Sequence, residues 1–129
     1  MRRIGEVAIL VRDYGEAIAW FTQKLDFVLT ADDPLPSGER WVTVAPSPGQ
    51  TALRLARAEN AGQAAQVGAQ ATGRVLCYLH TEDFARDHAT FVARGVNFIE
   101  DPRNEIYGTV AVFEDLYGNR WDLIEYRTS

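Results

Sequence analysis

Apolar residues alternate at Val7, Ile9 and Val11 within the β-rich run 4–11, which predicts a strand with one buried face. Asp13 follows as an N-cap residue. Ile18, Phe21 and Leu25 then recur at helical spacing and predict a helix over about residues 15–25. Pro34, Pro36 and Gly38 predict a loop, residues 41–45 a strand, Pro46-Ser47-Pro48-Gly49 a turn, and residues 51–57 another strand. Residues 58–73 are rich in Ala, Gln and Gly and hold one large apolar side chain, Val67, so they read as a connector with at most a weak helical turn.

The pattern then restarts. Residues 74–80 place Val75, Cys77 and Leu79 on one face. Asp83 is a second N-cap, and Phe84, His88, Phe91 and Val92 stripe a helix that Gly95 closes. Strands are predicted over 96–100, 109–114 and 120–126, with Tyr117-Gly118-Asn119 as the turn between the last two. A shift of 70 positions lays Asp13-Tyr14 on Asp83-Phe84 and Phe21 on Phe91, so the chain is an internal repeat in order of elements. The expected fold class is α+β: one domain over residues 1–129 of two modules (about 1–57 and 74–129), each a curved mixed or antiparallel sheet with a helix on one face, the free faces enclosing a cleft for a small molecule.

Composition narrows the chemistry. A chain of 129 residues with 47% apolar and 24% charged content is an ordinary globular domain. Eighteen acidic against thirteen basic residues give −5, which argues against a nucleic-acid surface. One cysteine excludes an intrachain disulfide and a Cys-rich zinc site, and two histidines leave little for other metal sites. No apolar run approaches the roughly 18 residues of a membrane span. The apolar stretch after Arg2-Arg3 is short, broken by Glu6 and followed by no small-residue cleavage site, so no signal peptide or membrane partner is expected and the expected compartment is cytoplasmic.

Val11-Arg12-Asp13, Ala17-Ile18-Ala19-Trp20-Phe21, Leu25-Asp26-Phe27, Tyr107-Gly108-Thr109 and the closing segment from Phe113 to Glu125, with Tyr117-Gly118-Asn119 inside it, together resemble the vicinal oxygen chelate superfamily. That superfamily holds glyoxalase I, extradiol dioxygenases, fosfomycin-resistance enzymes and bleomycin-resistance proteins. Asp26 departs from the glycine common in the family at the end of the first helix. The resemblance implies paired βαβββ modules, a homodimer and a ligand cleft lined by concave sheet faces, in which metal-dependent members hold a divalent ion with His or Glu from four strands. The matching slots here are Glu6, Arg54, Arg74 or Leu76, and Asp122. A guanidinium has no lone pair to donate and repels a divalent ion, so no metal cofactor is expected at these slots.

Strand parity independently puts Glu6, Arg54, Arg74 and Asp122 opposite the apolar, helix-facing rows. Two readings stay open: a solvated sheet face carrying weak cross-strand ion pairs, or acid–arginine pairs that replace the metal, hold the modules together and present a guanidinium to a ligand oxygen. Tyr78 shares the face of Arg74, and Tyr107, Trp41 and Phe113 are further ligand candidates. His80, at a strand end, is a candidate general acid or base or a loop residue helping the next helix start; His88 reads as helix packing. Cys77 points toward the helix and offers no catalytic thiol. The expectation is a metal-free protein that binds a small organic molecule through Arg54, Arg74, Tyr78, Tyr107 and Asp122, with Glu6 and His80 as catalytic candidates. The alternatives are a glyoxalase- or dioxygenase-type enzyme with a displaced ion, and a metal-free acid–base enzyme using Glu6 with Arg54 or Arg74.

Overall fold

Parallel pairing of the first and last strand organises each half of the chain. The computed structural model describes residues 1–128. Its elements are β1 (Glu6–Val11), α1 (Tyr14–Leu25), β2 (Val28–Pro34), β3 (Arg40–Ala45), β4 (Ala52–Arg57), α2 (Ala61–Gln66), β5 (Val75–His80), α3 (Phe84–Ala93), β6 (Asn97–Phe98), β7 (Arg103–Glu105), β8 (Gly108–Glu114) and β9 (Arg120–Tyr126). Contacts divide the chain into two compact units, Met1–Gly68 and a second that begins at Ala69.

The first unit holds a four-stranded sheet in the order β1-β4-β3-β2. β1 runs parallel to β4, and β4–β3 and β3–β2 are antiparallel. Asp13 caps α1, its Oδ2 accepting from Glu16 N at 2.8 Å. The helix ends at Asp26, which takes the left-handed conformation (φ 58°). That conformation explains why glycine is common at this point, and Asp is among the residues that tolerate it. Ile9, Val11, Tyr14, Ala17, Phe21, Leu25, Val42, Val44 and Leu55 form the core between helix and sheet. Val7, expected on the buried face, is 48% exposed, because the core begins only at Ile9. β2 is the element that the sequence reading lacked: its Thr30-Ala31-Asp32-Asp33-Pro34 stretch has no apolar alternation, and pairing with β3 makes it a strand. α2 is a six-residue helix capped by Asn60 with no buried side chain, in keeping with the weak turn expected there.

The second unit repeats this plan, with sheet order β5-β9-β8-β6 and β7 also paired to β8. β5 runs parallel to β9. Phe84, Phe91, Phe113 and Trp121 pack between α3 and the sheet, with Phe113 and Trp121 ring centroids 5.8 Å apart. His88 stacks on Phe84 at 5.3 Å and meets Phe98 at 4.4 Å, so it packs the helix as expected. The predicted strand 96–100 is reduced to two residues, and β7 follows after Pro102.

Between β8 and β9 the chain turns on a buried carboxylate. Asp115 accepts hydrogen bonds from the Tyr117 and Asn119 amides, from Asn119 Nδ2 and from Trp121 Nε1, each at 3.0 Å. Burial pushes its carboxyl pKa up even against these bonds, which work to lower it. Removing the acceptor with Asp115→Ala strands several buried donors, so a loss of about 3 kcal/mol in chemical denaturation is expected.

Gly108 opens β8 at φ +153°, where a Cβ would come within 2.1 Å of the Glu125 carbonyl oxygen. Gly108→Ala should therefore cost about 3 kcal/mol or abolish folding, as read by the midpoint of urea unfolding.

Candidate functional site

Each sheet turns one face to its helix, and the charged residues singled out from the sequence lie mostly on the opposite face. In the first unit β1 and β4 pair Ala8 with Arg54, and β3 pairs Thr43 with Arg54. This register puts Glu6, Ala8, Trp41, Thr43, Ala52 and Arg54 on the helix-free face. The Arg54 guanidinium lies over the Trp41 ring at 5.1 Å, and its Nη2 is 3.7 Å from the Glu39 carboxylate. Arg54 Nε is buried and has no hydrogen-bond partner among the described residues. Glu39 was not singled out from the sequence, although it shares the parity of Trp41 and Thr43. Glu6 stands exposed at the start of β1, opposite Ala52.

In the second unit β9 pairs Asp122 with Tyr78 on β5 and with Val112 on β8. Ala8 and Tyr78 correspond under the 70-residue repeat, so Arg54 and Asp122 occupy equivalent positions in the two sheets with opposite charge. Asp122 Oδ1, like Arg54 Nε, is buried with no hydrogen-bond partner among the described residues. Near Asp122 stands a charged group absent from the sequence reading. Arg103 on β7 donates from Nε to Glu100 at 3.1 Å and from Nη1 to Glu105 at 2.8 Å. Glu100 Oε1 also accepts from Val112 N at 3.0 Å. β7 follows a proline and has only three residues, so no periodicity marks Arg103 as a strand residue.

Arg74 departs from its predicted place. It precedes β5, its amide bonded to the Ala71 carbonyl in a turn. The β5–β9 register also shifts between Val75 and Cys77, so one extra residue reverses the parity that aligned Arg74 with Tyr78. Arg74 is thus not brought beside Asp122 by the sheet. Phe113, a ligand candidate from sequence, is fully buried on the helix side. Cys77 pairs with Trp121 on that side, and burial raises its thiol pKa to about 11, which leaves it protonated and unreactive. Tyr78 is 60% exposed and Tyr107, in the β7–β8 hairpin, 43%. His80 ends β5 and meets Tyr126 edge-on at 5.0 Å.

The donor set does not suit a metal ion. Each module contributes a single carboxylate to the family's slots, and the first module adds the guanidinium of Arg54, which has no lone pair to donate. Among the described residues no group of three or more His, Cys, Asp or Glu side chains is placed to hold an ion. No helix among them is long and apolar enough to cross a membrane.

Desolvation raises the Asp122 carboxyl pKa, Arg103 opposing the shift and Glu100 adding to it. A carboxyl that keeps its proton to higher pH when folded lends stability that fades as pH rises above the ordinary aspartate value. Asp122→Asn escapes that loss, so its melting temperature should exceed the wild type's at pH 7, and the gap should close as pH falls toward about 4.

Comparison with known proteins agrees with this architecture. An uncharacterised protein of Shewanella frigidimarina is 46% identical over 125 residues, covering 95% of this chain and 92% of its own. Among solved structures, TnmS3, an antibiotic binding protein from Streptomyces sp. CB03234, is 28% identical with a TM-score of 0.81 and 98% of both chains covered. UcmS2 is 30% identical with a TM-score of 0.83, over 96% of this chain and 98% of its own. The sequence model of one family matches residues 3–123, nearly the whole chain: the protein belongs to the Glyoxalase/Bleomycin resistance protein/Dioxygenase superfamily.

Proposed function

We propose that this protein binds a small organic molecule on the helix-free faces of its sheets and does so without a metal ion. One observation carries the reading: the buried side-chain atoms without a partner among the described residues, Arg54 Nε and Asp122 Oδ1, fall at equivalent positions on those two faces. A buried polar atom without a partner costs free energy, and a ligand supplying an oxygen to Arg54 or an N–H or O–H to Asp122 recovers it. Trp41 holds the guanidinium from below, which leaves its edge for a carboxylate, phosphate or carbonyl oxygen. The relation to an antibiotic binding protein supports the small-molecule class. In this reading Tyr78 flanks Asp122, and Glu6 and Arg74 lie outside the contact, Glu6 for want of burial and Arg74 for want of strand register. The protein acts by sequestration, in the cytoplasm, and as a homodimer.

A second reading, metal-free acid–base catalysis, shifts from Glu6 to Asp122, whose burial and raised pKa suit a proton acceptor better. Both readings dispense with a metal, in contrast to the glyoxalase- or dioxygenase-type alternative.

The test is a thermal-shift and calorimetric screen of antibiotics, bleomycin included, on protein purified without chelator and assayed for metal. The expected result is a ligand whose binding is unchanged by EDTA and weakened at least tenfold by Arg54→Leu, about 1.4 kcal/mol. A stoichiometric divalent ion whose removal abolishes binding would overturn the metal-free reading. A catalytic role would show instead as turnover of the bound compound, lost in Asp122→Asn.

A further inference from the structure

Beyond Asp122 along β9, toward the carboxyl ends of the parallel pair β5 and β9, three rings form an exposed ladder. His80 meets Tyr126 edge-on, centroids 5.0 Å apart at 72°, and Tyr126 meets Tyr107 at 6.1 Å and 48°. Tyr126 is 49% exposed and Tyr107 43%, a large amount of aromatic surface for one small region. A cavity of about 630 Å³ opens beside the ladder, lined by His80, Glu82, Glu125, Tyr126 and Arg127 among others. That volume lies in the range of small-molecule sites, roughly 300–1,000 Å³.

The ladder is held in place by main-chain bonds. Arg127 N donates to the Tyr107 carbonyl at 2.7 Å, and Arg127 Nη2 donates to the Glu105 carbonyl at 2.7 Å. Gly108, opposite Tyr126 in the register, lets the hairpin close against β9 because its missing Cβ would strike Glu125 and Tyr126. Rings fixed this way lose little freedom when a flat ligand settles on them.

Charge selects among flat ligands. Arg127 is engaged with the Glu105 carbonyl, and one oxygen of Glu125 accepts from the Phe84 amide at 2.7 Å. Glu82 is exposed, and the nearby Arg86, whose guanidinium feels its charge, gives its ion pair to Asp87. The lining therefore offers two carboxylates and the face of Tyr126 against one committed guanidinium, a setting that favours a cation.

We propose that the His80–Tyr126–Tyr107 ladder and its cavity bind a planar aromatic ring bearing a protonated amine, the ring on Tyr126 and the amine toward Glu82. This subsite shares no side chain with the Arg54 face and stands or falls separately from it.

The test uses three probes in calorimetric titrations with the full chain: tryptamine, indole-3-acetate as the same ring with a negative charge, and hexylamine as an amine without a ring. Tryptamine should bind at least tenfold more tightly than either of the others. Tyr126→Ala should weaken it at least tenfold and Tyr126→Phe should retain it, while Glu82→Gln should erase the preference over indole-3-acetate. Arg54→Leu should leave tryptamine binding unchanged, which separates failure here from failure of the Arg54 reading. If Tyr126→Ala does not fold by circular dichroism, Tyr107→Ala and Glu82→Gln carry the test. Equal affinity for the three probes, or indifference to the ring variants, would overturn the proposal. So would a self-association that Tyr126→Ala abolishes with no tryptamine binding in the wild type, which would assign the ladder to contact between copies.

Discussion

The pairing of β1 with β4, and of β5 with β9, is the constraint from which the rest of the structure follows. Two parallel neighbours cannot be joined by a hairpin, so a long crossover must leave the sheet and return. In each module the crossover carries a helix, α1 or α3, and the helix covers one face of the sheet. The large apolar residues therefore gather on that side, Phe21 with Leu55 in one module and Phe91 with Trp121 in the other. The opposite face carries Arg54 in one sheet and Asp122 in the other, the latter beside the buried apolar residues Val110 and Ile124.

What distinguishes the two helix-free faces is how their charges are satisfied. Arg54 is partly paired, by Glu39 at 3.7 Å and by the ring of Trp41, and still leaves one N–H without an acceptor. Asp122 Oδ1 has no hydrogen-bond partner among the described residues, and Arg103 gives its hydrogen bonds to Glu100 and Glu105. A core that needed only stability would neutralise these atoms or replace them with apolar groups, since an unpartnered buried polar atom costs about 1–3 kcal/mol. Their matching positions are the physical basis of the ligand contact proposed for the two faces.

The segment with the highest family likeness owes its form to packing. Asp115 draws the Tyr117 and Asn119 amides and the Trp121 indole onto one buried carboxylate, which sets the turn that starts β9. From that turn β9 carries Trp121 into the core and Asp122 to the other face, and it delivers Tyr126 to the ring ladder at its end. Gly108 and Arg127 close the same strand against the β7–β8 hairpin. One well-anchored strand thus positions both the charged and the aromatic elements of the second module.

Much of this was legible in the chain itself. Asp13 and Asp83 mark the helix starts, the alternation in 120–126 marks β9 to the residue, and the 70-residue offset reveals the repeated module, because caps and periodicities are local properties. The opposition of Arg54 and Asp122 to the apolar rows was legible for the same reason. Other features depended on partners distant in sequence. β2 is a strand because β3 lies beside it, Arg103 reaches the neighbourhood of Asp122 through a three-residue strand, and Glu39 gains its role only when β4 brings Arg54 alongside. Arg74 was misplaced because a single extra residue in β5 reverses side-chain parity, and a bulge is a property of two paired strands. The sequence alone thus determined the helices, most of the strands, the repeat and the fold family, through local propensity and spacing. Register, bulges and unpartnered buried atoms were decided only in the tertiary structure, because each is defined by what packs against a residue from elsewhere in the chain.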